Sequence, residues 1–349
     1  MSEETMTAAV LRRHGGPDAV ELSRVPVPRP GPGEVLVRVR AAALNNTDLW
    51  TREGAYGLPG DPDARAGWRG PMTFPRIQGA DVTGTVAAVG EGVAPDVVGR
   101  RVLVDPALYD ADSDDAHPVG LLGSERDGGF AGFVAVDAVR AHPVDDSPLT
   151  DAELATLPTA YGTALGMIER GGVTRGETVV VTGASGGVGL ALVQLAAERG
   201  ADVVAVSSAG KLDAVRSAGA RAVVDRGGDL WAAVAGAAPG GVDVVLDVVA
   251  GTGVADGVGV LREGGRWVVA GALGGHRIEV DVRRLYLHNR TIVGSSMHTP
   301  AHFAALVEIA RTGRVRPVVA ATYPLADIAR AHAELAERRH VGKLVIDEL

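Results

Sequence analysis

The sequence of 349 residues contains no cysteine. Disulfides, cysteine nucleophiles, iron–sulfur clusters and every zinc site built on thiolates are therefore excluded. Aromatic residues are scarce at 4% of the chain, which leaves few rings to stack on nucleic-acid bases. Positive charge is not in excess either. The formal net charge is −9, the opposite of a basic nucleic-acid footprint. No uninterrupted apolar run approaches the ~18 residues that suggest a membrane span. The acidic start, with Ser2, Glu3 and Glu4, has no basic segment followed by an apolar one, so no secretory signal is expected. These absences point to a cytoplasmic protein that acts on a small molecule, with neither nucleic acid nor membrane as partner.

What is present is apolar and rich in glycine: 46% hydrophobic residues and 48 glycines. The hydrophobic content suits a globular core, and the length suits two ordinary domains. So much glycine implies tight turns and close backbone approaches, among them a phosphate loop. Residues 1–140 read as mostly β. Val35, Val37 and Val39 alternate with Leu36, Arg38 and Arg40, and further strands are expected at Val82–Val89, Arg101–Val104 and Phe130–Val136. Residues 54–71 and 105–129 read as loops. The second holds five aspartates from Asp105 to Asp115 and is expected to be solvated. From about residue 150, short valine-rich strands alternate with helical segments. That pattern predicts an α/β domain with a parallel sheet covered on both faces. The chain should end in two helices, Pro300–Arg311 and Leu325–Arg338, and a strand, Lys343–Ile346.

The sharpest motif is Gly183-Ala184-Ser185-Gly186-Gly187-Val188-Gly189. It follows the strand Val179-Val180-Val181 and opens a helix that ends near Arg199. Glycines at 183, 186 and 189 allow a tight turn, the approach of a pyrophosphate, and close packing of helix on strand. The helix N-terminus offers free N–H groups and a positive dipole end to the phosphates. At the end of the next strand an NAD site carries an acid for the ribose 2′-hydroxyl. Here that strand ends Val206-Ser207-Ser208-Ala209-Gly210-Lys211, with no acid. Ser207, Ser208 and Lys211, with Arg226 after the third strand, suit a 2′-phosphate, so NADPH is the expected cofactor. Val248, Ala270, Gly271 and Leu273, which end the fourth and fifth strands, join the expected dinucleotide site, with Thr159 reaching toward the nicotinamide.

Further motifs complete a family pattern: Ala43-Leu44-Asn45-Asn46-Thr47-Asp48, Ile77-Gln78-Gly79-Ala80-Asp81-Val82, Gly128-Gly129-Phe130 and Leu157-Pro158-Thr159-Ala160-Tyr161-Gly162. In that order they resemble the medium-chain dehydrogenase/reductase superfamily over nearly the whole chain. The resemblance implies a GroES-like β-rich catalytic domain, residues 1–140 completed by 297–349, and a doubly wound Rossmann domain, residues 141–296. It also implies an active site in the cleft between them. Zinc-binding members carry Cys and His where this chain has Asn45 and Ala80, and the position of a third ligand holds Ala155, which is no ligand type. No metal is therefore expected, and the chain is most similar to the zinc-free branch, the zeta-crystallin-like quinone oxidoreductases and enoyl reductases.

For that branch the expected reaction is hydride transfer to a quinone or an α,β-unsaturated carbonyl. Without a Lewis acid the developing oxyanion relies on hydrogen-bond donors. Asn45 and the Thr47 hydroxyl are the candidates, with Tyr56 or water as proton donor. Asp48 reads as a turn or helix cap, Asp81 as structural, and Tyr161 as equally suited to a nicotinamide pocket or to the core. His117, His276 and His298 read as solvated, and Lys343 has no derivable role. Alternatives are a biosynthetic ketone or alcohol oxidoreductase of the same fold, and a non-catalytic NADPH-binding protein. The strand Arg290–Gly294 resembles one that pairs across a two-fold axis in relatives, which implies a homodimer.

Overall fold

The structure, a computed structural model, describes residues 4–349; Ser2 and Glu3 of the acidic start lie outside the described residues. The chain forms two compact units. One runs up to Thr159 and resumes with Thr299–Leu349, and the other is Ala160–His298. Among the described residues, no helix is long and apolar enough to cross a membrane.

The first unit is built on the strand Glu34–Ala43. Its alternating pattern buries Val35, Val37 and Val39 and exposes Arg38 and Arg40. The strands Asp81–Val89 and Phe133–Asp137 pair with it antiparallel, and the last strand of the chain, Lys343–Glu348, pairs along its far end. There Val345 faces Ala43 and Ile346 faces Ala42. The same antiparallel register, continued by two residues, sets Lys343 opposite Asn45. The expected break at residue 140 moves to 159. The strand Ala141–Pro143 pairs with Arg101–Val104, and the helix Asp151–Ala155 buries Ala155 against Ala41, Ala43 and Val345. A separate sheet joins Thr5–Leu11 and Val20–Pro26, an N-terminal hairpin absent from the sequence reading.

Residues 105–129 are not simply a solvated loop. They contain the paired strands Ala107–Tyr109 and Pro118–Leu121. Asp105 is buried, accepting from the Tyr109 hydroxyl at 2.8 Å and from the Ala107 N–H at 3.0 Å. A carboxylate with two close donors tolerates burial, whereas Asp110, Asp112, Asp114 and Asp115 are exposed as the acidic pattern suggests.

The second unit is a six-stranded sheet in which every neighbouring pair is parallel. Its strands are Thr178–Val181, Asp202–Ser207, Ala222–Asp225, Val242–Asp247, Leu261–Val269 and Thr291–Gly294. Their spatial order is third, second, first, fourth, fifth, sixth. That is the doubly wound dinucleotide order, in which ligands lie beyond the carboxyl ends of the strands near the switch between first and fourth. The first, second and fourth strands are almost entirely buried, which is why they read as unbroken valine runs.

Candidate active site

The glycine-rich loop sits at the carboxyl end of the first strand of the second unit. Gly183 has φ 60°, and a Cβ there would meet Val248 Cγ2 at 2.8 Å. A Cβ at Gly189 would lie 2.7 Å from Ala184 Cα, so only glycine lets the helix Gly187–Glu198 start this close to the loop. Gly186 differs: its nearest neighbour would be the Gly183 oxygen at 3.6 Å. The loop is therefore crowded from inside and open on the face of Gly186. No side chain caps the helix, so its first N–H groups, at Gly187, Val188 and Gly189, are left to an anion. Ser185 is half-buried beside them.

At the end of the second strand, Ser207 is buried and its Oγ has no hydrogen-bond partner. The Arg226 N–H donates to the Ser207 carbonyl at 2.8 Å, which ties the third strand's end to the second. The Lys211 ammonium is held below the usual lysine range, first by partial burial and then by the positive charge of Arg226. Two cations therefore converge where a buried hydroxyl lacks a partner. Ser208 is half-buried next to them.

Asp247, which the sequence reading passed over, organises this edge. Its carboxylate accepts from the Thr182 hydroxyl, the Trp267 indole N–H at 2.9 Å, and the N–H groups of Val249 and Ala250 at 2.8 and 3.0 Å. One acid thus joins the carboxyl ends of the first, fourth and fifth strands, the last through a side chain. The available signal was an acid closing the apolar run Val242–Leu246. Val248 is buried in this cluster, Ala270 donates its N–H to the Asp247 carbonyl at 3.0 Å, and Gly271 is packed against the Val248 carbonyl. Leu273 is 37% exposed at the rim.

In the first unit the candidate catalytic groups gather about the helix Asn46–Glu53: Asn45 precedes it, Thr47 lies in its first turn and Tyr56 follows its end. The Tyr56 hydroxyl donates to Thr47 Oγ1 at 2.8 Å. Burial raises the Tyr56 phenol well above its ordinary range, so it stays protonated and a donor. Thr47 is half-buried, and with its oxygen accepting from Tyr56 its own proton is left to point elsewhere. Asn45 is disposed differently from expectation. Its amide Nδ2 donates to Asp81 Oδ2 at 2.9 Å and approaches the Ala43 carbonyl at 3.4 Å, and its Oδ1 accepts from the Lys343 ammonium. The amide is committed inside the protein.

Beneath this lies a buried polar cluster. Asp81, fully buried, also accepts from the Thr159 N–H at 2.8 Å and from Lys343 at 3.2 Å. Thr159 Oγ1 is buried without a partner. Asp48 accepts from the Asn45 N–H at 2.7 Å, the cap expected of it. Burial, with a smaller push from the Asp81 charge, raises its carboxyl to about 7 against the pull of the Asn45 N–H and Lys343. Four residues later Arg52, also buried, lies 3.0 Å from His332 Nδ1. Burial first, then the Arg52 charge, pushes that imidazole down to about 3.

His117 and His276 are exposed, as expected. His298 is not: it is fully buried in the second unit, where a Cβ at Gly162 would run into its ring. A polar flank in sequence did not reveal that Gly162 leaves room for an imidazole. Tyr161 belongs to the core, with its hydroxyl donating to Gln194 at 2.5 Å.

Two family models match the chain: an alcohol dehydrogenase GroES-like domain over residues 31–146 and a zinc-binding dehydrogenase over residues 187–312. The chain is 30% identical to the quinone oxidoreductase of Mus musculus, over 99% of this chain and 98% of the mouse protein. It is 29% identical to the acryloyl-coenzyme A reductase of Metallosphaera sedula, over 98% of this chain and 99% of that protein. A solved structure from Sinorhizobium meliloti 1021, assigned as an alcohol dehydrogenase, is 46% identical with a TM-score of 0.95, covering 99% of this chain and 97% of its own. The chain belongs to the medium-chain dehydrogenase/reductase superfamily. In this medium-chain dehydrogenase/reductase the GroES-like match lies in the unit that holds Asn45, Thr47 and Tyr56, and the dehydrogenase match begins within the glycine-rich loop.

Proposed function

We propose that the protein is an NADPH-dependent reductase that transfers hydride to a quinone or an α,β-unsaturated carbonyl without zinc. The observation that carries this reading is the Tyr56–Thr47 pair, which leaves one hydroxyl proton available to an oxyanion. Hydride addition to an enone or quinone places its developing charge on oxygen, where such a donor acts. The zinc-free half rests on the residues themselves. Asn45 and Ala80 stand where zinc-binding members carry ligands, and the Asn45 oxygen is already held by an ammonium. The relatives named quinone oxidoreductase and acryloyl-coenzyme A reductase support both acceptor classes.

The residues present fit the cofactor. Gly183, Ser185, Gly186, Gly187, Val188 and Gly189 offer the pyrophosphate an open face and uncapped N–H groups. Ser207 and Ser208 with Lys211 and Arg226 would hold a 2′-phosphate, which suits two converging cations and would give the buried Ser207 hydroxyl a partner. Val248, Ala270, Gly271 and Leu273 would line the nucleotide, and the unpartnered Thr159 hydroxyl would meet the nicotinamide. NADPH bound there supplies the hydride. Thr47 then stabilises the oxyanion, Tyr56 polarises Thr47, and the proton arrives through this pair or from water. Asn45, whose amide is already engaged, supports the helix end rather than donating to substrate.

The test follows nicotinamide absorbance with quinones, enones and saturated ketones, using NADPH and NADH. NADPH is expected to be oxidised by quinones or enones. Lys211→Ala is expected to raise KM for NADPH about tenfold, the loss of one charged hydrogen bond, and to leave NADH unaffected. No oxidation with any acceptor defeats the reductase reading. A second reading, an alcohol or ketone oxidoreductase, is favoured by the 46% identical Sinorhizobium structure. Turnover confined to saturated ketones would select it.

We further propose that the protein is a homodimer. The strand Thr291–Gly294 forms an edge of its sheet, and the short helix Arg283–Tyr286 that precedes it in sequence ends in Tyr286 and is flanked by Val282 and Leu287, all three 63% exposed. An unpaired edge strand with adjacent apolar surface is suited to pairing with a second copy. Light scattering is expected to give twice the chain mass, and a monomer at micromolar concentration would reject the proposal.

A further inference from the structure

Lysine is among the residues least often buried, because its ammonium must be desolvated and then paired. Lys343 is nevertheless only 6% exposed. Its position is dictated from two sides. The register of Lys343–Glu348 against Glu34–Ala43 sets it opposite Asn45. Gly342, at φ 92° and pressed against the Val318 carbonyl, makes the turn that admits it, and the Lys343 N–H donates to that same carbonyl at 2.9 Å. The ammonium donates to Asn45 Oδ1 and, at 3.2 Å, to Asp81 Oδ2. The charged and titratable groups around it are Asp81 from the strand Asp81–Val89 and Asp48 from the helix Asn46–Glu53.

We propose that Lys343 is a positioning residue of the reductase site: its ammonium is the resident cation between Asn45 and Asp81, and it holds the N-terminus of the helix Asn46–Glu53 so that Thr47 presents its hydroxyl for the reaction. The proposal rests on the reductase reading for its kinetic part and on the hydrogen-bond network alone for its counter-ion part.

Asn45 is the residue through which it acts. An amide has two orientations, related by a flip that exchanges oxygen and nitrogen. Asp81 accepts only from nitrogen, and the ammonium donates only to oxygen, so together they allow one. Asn45 in that orientation, with its N–H held by Asp48, fixes the residue from which the helix starts. Thr47 follows two positions later. The same carboxylate holds the Thr159 N–H, so the cation also neutralises the acid that anchors the start of the helix Pro158–Arg170. An apolar side chain could fill the space, but it could neither orient the amide nor balance Asp81.

The experiment combines thermal melting with steady-state kinetics for Lys343→Met, Asp81→Asn and the double variant. Lys343→Met is expected to melt ~5–10 °C lower, because it leaves a buried carboxylate without its cation. Asp81→Asn in the same chain is expected to recover part of that loss. Below the melting range, kcat of Lys343→Met is expected to fall at least about tenfold with KM for NADPH within about threefold, since the lost alignment matters in the transition state and not in cofactor binding. In Lys343→Ala, methylammonium is expected to restore part of kcat and tetramethylammonium none, because only the former donates hydrogen bonds. Melting losses of the two single variants that merely add would overturn the counter-ion role. Unchanged kcat and KM in folded Lys343→Met would overturn the positioning role. A wild-type protein inert with every acceptor would instead defeat the reductase reading, while the melting cycle would still decide whether Lys343 is the counter-ion of Asp81.

Discussion

Thr47→Val is expected to lower kcat about 100-fold or more while KM for NADPH stays within about threefold, the usual consequence of deleting one oxyanion donor. The side chains are nearly isosteric, so the loss isolates the hydroxyl. Its importance follows from how the neighbouring groups are used. The Asn45 amide is spent on Asp81 and Lys343, and the Tyr56 proton is spent on Thr47 itself. Thr47 then still has a donor to give. Tyr56→Phe is expected to cost less, roughly tenfold, because it removes the polarisation of that hydroxyl and one proton route while water remains as the other. Thr47→Ser is expected to keep most of the rate. The check is steady-state kinetics with the best acceptor found for the wild type, and a Thr47→Val enzyme within threefold of wild type would remove Thr47 from the chemistry.

The second expected result concerns stability against pH, where two buried groups oppose each other. Asp48 is raised from 3.8 to about 7, chiefly by burial, so between those values the folded chain holds a proton that the unfolded chain has lost. Its contribution is fully present below pH 3.8 and declines as pH rises through 7. His332 is lowered from 6.5 to about 3, again chiefly by burial, so there the unfolded chain binds the extra proton. That contribution is present above pH 6.5 and declines as pH falls toward 3. From about pH 4 to 6.5 the slopes have opposite sign and cancel. Removing either group exposes the other. Relative to wild type, Asp48→Asn is expected to gain about 3 kcal/mol in unfolding free energy as pH rises from 4 to 7. His332→Gln is expected to gain about 3 kcal/mol relative to wild type as pH falls from 6.5 to 4. Urea midpoints across pH 4–8 supply both difference curves. If both run parallel to the pH axis, neither group titrates as its burial requires.

The neutral state of these groups was not legible in the sequence. Nothing near Asp48 says that the end of the chain brings a lysine beside it, and nothing near His332 names Arg52. The residues that form the cluster come from distant stretches: Lys343 and Asn45 lie 298 positions apart and meet through strand register. The same holds for His298 and Asp105. His298 has polar neighbours in sequence but a glycine opposite it in space, and Asp105 opens an acidic run but turns inward to Tyr109. Asp247 closes an apolar strand, an available sign, yet its four donors come from three strand ends.

The parallel dinucleotide sheet, the glycine-rich loop, the absence of thiolate chemistry and the missing ribose acid are all written in the order of residues. Each is a local property: valine runs, backbone conformations open only to glycine, and the presence or absence of a residue type at a strand end. Tertiary structure alone decided which hydroxyl keeps a free proton, which amide is already bound, and which buried acid has a cation. Those are properties of hydrogen-bond partners and burial, and in a folded chain both are set by residues far away in sequence.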